Sequence, residues 1–292
     1  MRPIYSVCIC NYNMSDTLEI SLKSVLDQLD ERYEVLVLDD GSSDSSLSVL
    51  DKISKIYHNF RYIPLIRDSR RKLGETRNLS IEAARGKYVI LHIDADDKWG
   101  NHIDSFIRLF HDLSKRLDLD NFMLSGKQIH IASREFMLEN KYPNVYYTED
   151  RILWTQLASK GALLCINHKI FRKRIPIKKR KKKIVKVIES QYSSMIVSFS
   201  YHPNPTKSLF EYLRKIFTKS DWSFLLSFLN FFLLLPSFIY GVIFNRAKRI
   251  DCMKNNYREF LTLDLNQIEK EYLDEFGKFN LSLEERKIYL MN

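Results

Sequence analysis

The feature that most constrains this chain is an alternation in its first 93 residues, where short apolar runs that end in polar clusters are separated by stretches with helical spacing. The runs cover residues 5–10, 33–38, 60–66 and 87–93. After the first, Leu18, Leu22, Val25, Leu26 and Leu29 line one helical face, and Ser15 or Asp16 is available as N-cap. A second helix is expected from Asp44 or a neighbouring Ser through about His58, and a third over 75–84, closed by Arg85-Gly86. The unbroken Val and Leu run at 33–38 implies a strand buried on both faces. A β-α-β-α-β-α-β order predicts an α/β fold with a parallel sheet covered by helices on both faces. Ligands then belong at the carboxyl ends of the strands.

That geometry brings three polar clusters to one rim: residues 11–13, 39–44 and 94–97. Asp94, Asp96 and Asp97 end an apolar strand, where carboxylates repel one another unless a cation screens them. Hard oxygen donors at this spacing suit Mg²⁺ or Mn²⁺, ions that also grip phosphate. Asp39 and Asp40 can accept hydrogen bonds from a base or from ribose hydroxyls, and Arg77 can reach base or phosphate. The rim therefore reads as a pocket for a nucleotide diphosphate, with Cys10, Asn11 and Asn13 at its first edge.

Four blocks, SVCICNYN, EVLVLDDGSSD, GETRNLSIEAARGKYVILHIDADD and Thr148-Glu149-Asp150, occur in order over residues 4 to about 165. Together they resemble the inverting glycosyltransferases of family 2, whose GT-A fold implies a Rossmann-like, mixed, mostly parallel sheet with helices on both faces. The resemblance implies an enzyme that uses a nucleotide-diphosphate sugar with Mn²⁺ or Mg²⁺. It implies that Asp40 and Arg77 bind the nucleotide, that Asp94 binds ribose and metal with Asp96 as the main ligand, and that Asp150 is the catalytic base. Such transfer needs one carboxylate to take the acceptor's proton and one ion to stabilise the leaving diphosphate. Asp150 opens an expected helix over 151–159, ended by Gly161, and a helix start keeps a carboxylate ionised. Glu149 is the second catalytic candidate. Many relatives carry an Arg-x-His-like segment near the donor phosphates; this chain offers Tyr201-His202-Pro203-Asn204, which makes His202 the candidate on the acceptor and phosphate side.

The residues after 170 carry the charge and the apolar excess. The chain has 292 residues, 45% of them hydrophobic, enough for one large core plus an appendage. Its net charge of +10 resides in one stretch: residues 172–186 hold ten Lys or Arg and no acid. Such a run contacts polyanions. Nucleic acid is disfavoured, because no stacking aromatics interleave the run and it would explain neither the acidic rim nor the apolar segment. Residues 222–244 contain no charge, and as a helix they would span about 34 Å. Basic flanks (Arg214, Lys215 and Lys219 before, Arg246, Lys248 and Arg249 after) put both ends on the cytosolic face. With Pro236 and Gly241 inside the segment, an interfacial or re-entrant hairpin broken there is expected, with a single span and a buried core helix as the alternatives.

The expected organisation is a catalytic core over 1–170, a basic surface segment over 171–221, a membrane-associating region over 222–249 and a helical tail over 250–292 that packs back on the domain or on a partner. Met1-Arg2-Pro3 runs straight into a strand with no signal-like apolar stretch, and Cys8, Cys10, Cys165 and Cys252 lack metal-ligand spacing. Both features suit the cytoplasmic face of a membrane. The expected reaction moves one sugar to a lipid-linked or cell-surface glycan near an anionic membrane. A polyprenyl-phosphate sugar transferase is the alternative, although Asp97-Lys98-Trp99 departs from the Leu-Gln-His-Pro-like segment usual there; a non-catalytic protein is a more distant one.

Overall fold

Every side chain of β2 (Tyr33–Asp39) is buried, as an unbroken apolar run in the middle of a parallel sheet requires. The computed structural model describes residues 2–145, 148–176, 184–202, 204–218, 224–244 and 262–290. Around β2 the expected order appears: β1 (Tyr5–Asn11), α1 (Ser15–Leu26), α2 (Ser46–Ser54), β3 (Phe60–Pro64), α3 (Leu73–Ala83) and β4 (Tyr88–Leu91). β4 stops two residues before the expected end, because His92 adopts a left-handed φ of 64° and turns the chain out of the strand. The chain continues through β5 (Asp97–Trp99), α4 (Ile103–Leu117), β6 (Met123–Ser125), β7 (His130–Ser133), α5 (Arg134–Glu139), α6 (Glu149–Ser159), β8 (Leu163–Ile166) and β9 (Arg172–Arg174).

The main sheet has the order β10-β8-β6-β7-β4-β1-β2-β3, where β10 is Thr262–Leu263. All its pairings are parallel except those of β7, which runs antiparallel to β4 and to β6. Alternate residues of β1 face opposite layers. Val7 and Ile9 pack with Leu18, Leu22 and Val25 of α1 and with Phe106 of α4, while Cys8 packs with Ile81 of α3 and, through the same layer, with Leu153 and Trp154 of α6. The result is the expected mixed, mostly parallel sheet with helices on both faces.

At the chain's far end one expectation is narrowed to one of its alternatives and another changes. Residues 262–290 are an integral part of the core: β10 extends the sheet beside β8, and Leu265, Ile268, Phe279, Tyr289 and Leu290 are buried in the same cluster as β1. Apolar spacing alone could not distinguish this from docking on a partner. The apolar segment is not broken at Pro236, either. It forms one helix, α9 (Phe224–Ile239), with Pro236 inside it, and continues as a π-helical turn over Tyr240–Phe244. α7 (Ile184–Tyr201) and α8 (Pro205–Thr218) pack beside it, with Met195, Phe199, Ile216 and Leu234 forming a small second core. Gly241 permits this approach, since a Cβ there would lie 2.9 Å from the Ile196 carbonyl oxygen. The basic stretch 177–183, Lys219 and the expected flank Arg246, Lys248 and Arg249 lie outside the described residues, as does Cys252.

Candidate active site

β1, β2 and β4 end side by side, and the loops that follow them surround a cleft of about 270 Å³. Its wall carries Cys10, Asn11, Asp40, Arg77, Asp94 and Asp96 from the expected site residues. Tyr12, Leu73, Thr76 and Arg174 line it as well.

The β2 loop is held from within. Asp39 is fully buried and its carboxylate accepts from Asn11 Nδ2 (2.6 Å), from the Ser42 amide (2.9 Å) and from Ser42 Oγ (2.6 Å). It is not among the residues lining the cleft where the nucleotide contact was expected, and those three donors anchor the loop through it. Asn13 is similar. Its Oδ1 accepts from the Ser43 amide at 2.8 Å, and its backbone has a φ of 55°. Gly41 completes the turn at φ 72°, where an added Cβ would meet Arg67 backbone at 2.8 Å.

Asp40 follows with its carboxylate in the cleft, paired to Arg67 and, at 2.6 Å, to Arg71. Arg67 in turn lies 4.3 Å from the centre of the Tyr12 ring. These two arginines were not among the sequence candidates. The signal was available, because residues 67–72, RDSRRK, follow β3 at the same rim.

Arg77 projects from α3 with its side chain 12% exposed and donates from Nε to Glu149 Oε1 at 3.3 Å. It lies on the face of β1 that carries Cys10, whose thiol burial pushes up to about 11, so the sulfur is neutral and no nucleophile. Glu149 is itself buried and is raised to about 7 by that burial, which Arg77 opposes. Its neighbour Asp150 is half-buried and accepts the Arg151 amide at 2.6 Å. α6 begins at Glu149, one residue before the expected opening, after Thr148 in the left-handed region at φ 65°. Gly74 positions this segment against α3: its amide donates to the Val145 carbonyl at 3.2 Å, and a Cβ there would lie 1.8 Å from the Pro143 carbonyl oxygen.

The acidic cluster is tied down by its backbone. Thr17 Oγ1 donates to the Ala95 carbonyl (2.9 Å) and Ser21 Oγ to the Asp94 carbonyl (3.1 Å), fixing the loop to α1. One carboxylate oxygen from each of Asp94, Asp96 and Asp97 lies within 4.8 Å of the others. Burial makes Asp94 and Asp96 weaker acids, raising both pKa values above the usual carboxylate range. Arg77 and Arg174 oppose the shift at Asp94, and neighbouring carboxylates add to it at both. An all-oxygen set that resists ionising next to itself fits a hard divalent cation. Asp97, on β5, is fully buried against Arg172 at 2.6 Å, so Asp94 and Asp96 are the two that face the cleft. His202 is placed elsewhere: its Nδ1 accepts the Asn204 amide at 3.0 Å at the end of α7, and it does not line the cleft.

Residues 6–155 match the sequence model described as "Glycosyl transferase family 2". The chain belongs to that family. Its sheet order and helix layers are those of the GT-A fold: the crystal structure of S. aureus TarS 1–349 in complex with UDP-GlcNAc superposes over 95% of this chain and 88% of that one, with a TM-score of 0.51 at 14% identity. Among relatives in the family, TuaG of Bacillus subtilis (strain 168), a protein named as a teichuronic acid biosynthesis glycosyltransferase, is 27% identical over 190 residues, covering 55% of this chain and 74% of that protein. WfaP of Escherichia coli, named as a UDP-Glc:α-D-GlcNAc-diphosphoundecaprenol β-1,3-glucosyltransferase, is 24% identical over 184 residues, 54% of this chain and 71% of that one. The chain is thus a family 2 glycosyltransferase.

Proposed function

We propose that this enzyme transfers one sugar, with inversion, from a nucleoside-diphosphate sugar bound in the cleft to a hydroxyl of a lipid-linked or cell-surface glycan. The observation that carries the reading is convergence: Asp40, Arg77, Asp94 and Asp96 line one cleft, and the Glu149-Asp150 start of α6 meets it through Arg77. Asp40 and Arg77, with Cys10 and Asn11 behind them, hold the nucleotide, and Asp94 reaches its ribose. Asp94 and Asp96 would hold Mn²⁺ or Mg²⁺, which when bound supplies positive charge to the diphosphate. Asp150 accepts the proton of the acceptor hydroxyl as its oxygen bonds to the anomeric carbon and the anomeric bond to the diphosphate breaks, its electron pair leaving with the phosphate oxygen. Glu149 keeps Arg77 aimed into the cleft. The teichuronic acid and diphosphoundecaprenol chemistry in the names of TuaG and WfaP supports a surface or lipid-linked acceptor.

A lipid-linked acceptor suits the outer helices. α9 turns Asn230, Leu234 and Ser237 inward and leaves Phe224, Leu225, Phe228, Phe231, Phe232 and Leu235 exposed. Phe210 and Phe217 of α8 are exposed too, next to Lys207, Arg214 and Lys215. Together with the π-helical turn, α9 gives a helix over Phe224–Ile243 that is long and apolar enough to cross a bilayer. Its packing against the charged α8 favours a second mode, in which one aromatic face lies in the interface and the cations meet anionic headgroups on the cytoplasmic side.

Thermal unfolding of the full chain with Mn²⁺ and a panel of UDP, GDP and dTDP sugars tests the donor reading. One donor should raise the midpoint by mass action, and Asp96→Asn should abolish that rise. A midpoint that no donor moves would argue against it.

A further inference from the structure

One cation in the cleft has no task in this scheme. Arg174 lies on β9, which pairs antiparallel with β5 so that Asp97 faces Arg174 and Trp99 faces Arg172. The two arginines are two residues apart and share a strand face, yet they are held differently. Arg172 is locked, its side chain 16% exposed and paired at 2.6 Å with an Asp97 carboxylate that has no exposure. Arg174 is 58% exposed; it pairs with Asp96 and lies 3.4 Å from Asp97 and 3.9 Å from Asp94. A guanidinium needed only to neutralise Asp97 would resemble Arg172.

We propose that Arg174 is a donor-positioning residue that exchanges partners: it pairs with the acidic cluster when no divalent ion is held there, and passes to the donor diphosphate when an ion takes those carboxylates. This rests on the metal and donor site proposed above. The physical reason is competition. Arg174 bonds to an Asp96 oxygen, and a divalent ion needs the same lone pairs; two cations cannot share them, and the doubly charged one attracts them more strongly at equal distance. The displaced guanidinium remains tethered to β9 at the wall of the same cleft. There a diphosphate presents paired oxygens that match its planar fork. Of the neighbouring cations, Arg77 is paired with Glu149 and already assigned to the nucleotide, and both Arg67 and Arg71 are engaged by Asp40.

The test is Mn²⁺ binding to the full chain, read from the free-ion EPR signal for wild type, Arg174→Gln and Asp96→Asn. With Mn²⁺ alone, Arg174→Gln should bind about fivefold more tightly than wild type, since a competing partly exposed ion pair is gone. With pyrophosphate added the order should reverse, wild type retaining the ion and pyrophosphate about tenfold more tightly. Arg174→Lys keeps the charge without the fork and should show the same reversal at smaller amplitude, which covers a glutamine variant that unfolds. Equal Mn²⁺ affinities in wild type and Arg174→Gln, or no reversal with pyrophosphate, would overturn the partner exchange while leaving the metal site standing. Wild type that binds no more Mn²⁺ than Asp96→Asn would sink the metal site, and the exchange with it.

Discussion

Glu149 and Asp150 are adjacent on the first turn of α6, but their surroundings separate their chemistry. Asp150 is the half-buried one of the pair, and its exposure suits a base that must meet an acceptor. Replacing it by Asn should lower turnover at least about 100-fold while nucleotide binding, followed by calorimetry, stays within twofold of wild type. Glu149 differs, since burial lifts it from 4.5 to about 7 against the pull of Arg77. The folded chain therefore holds this proton more tightly than the unfolded chain. The contribution to stability is full below about pH 4.5 and is lost as pH rises through about 7, up to roughly 3 kcal/mol. Urea unfolding at several pH values should show wild type losing stability relative to Glu149→Gln across that window. Parallel curves would refute the assignment. The sequence named both residues, but their order of burial was invisible to it, because burial depends on which distant segments the fold packs around the start of α6.

At the scale of elements, the helix starts depend on one aspartate. Neither Ser15 nor Asp16 caps α1; instead Asp44 accepts the Ser15 amide at 3.0 Å through one oxygen and the Ser46 amide at 3.0 Å through the other. Asp44 thus joins α1 and α2 beneath the donor loop. Asp44→Ala should cost about 1–2 kcal/mol in chemical denaturation and weaken nucleotide binding as the loop loosens; an unchanged midpoint would refute the shared cap. Gly74→Ala should be worse, because the Pro143 carbonyl occupies the Cβ position. Loss of soluble protein or of the α3 to α6 alignment is expected, with activity falling before secondary structure does by circular dichroism. Periodicity located α1, α2 and α3 within a few residues. It missed β6, β7 and β8, three- and four-residue strands too short to show a period, and so missed the antiparallel β7.

For the whole molecule, the C-terminal residues close the core that the N-terminal strands begin. A chain cut after residue 261 would lose β10 and the buried Leu265, Ile268, Phe279 and Tyr289, and fully burying each such side chain is worth about 1.5–3 kcal/mol. It should be recovered insoluble; a soluble, cooperatively melting product would show that the tail is dispensable. The aromatic face of α8 and α9 makes the opposite prediction. Phe228→Glu with Phe232→Glu should leave the melting midpoint and donor binding unchanged while sedimentation with anionic liposomes falls severalfold, because both rings are more than half exposed. Retained sedimentation would exclude this face as the lipid contact.

The sequence by itself determined the order of strands and helices through β4, the rim on which Asp40, Arg77, Asp94, Asp96 and the Glu149-Asp150 pair stand, and the family, because each is written in local periodicity or in contiguous motifs. Only the tertiary structure decided what each charge faces. Asp39 turned inward as a loop anchor. Arg172 and Arg174, read along the chain as the start of a polybasic run, close on carboxylates some 75 residues away. Local patterns fix which face of an element is apolar; the partner of a long charged side chain depends on which distant segment the fold lays beside it.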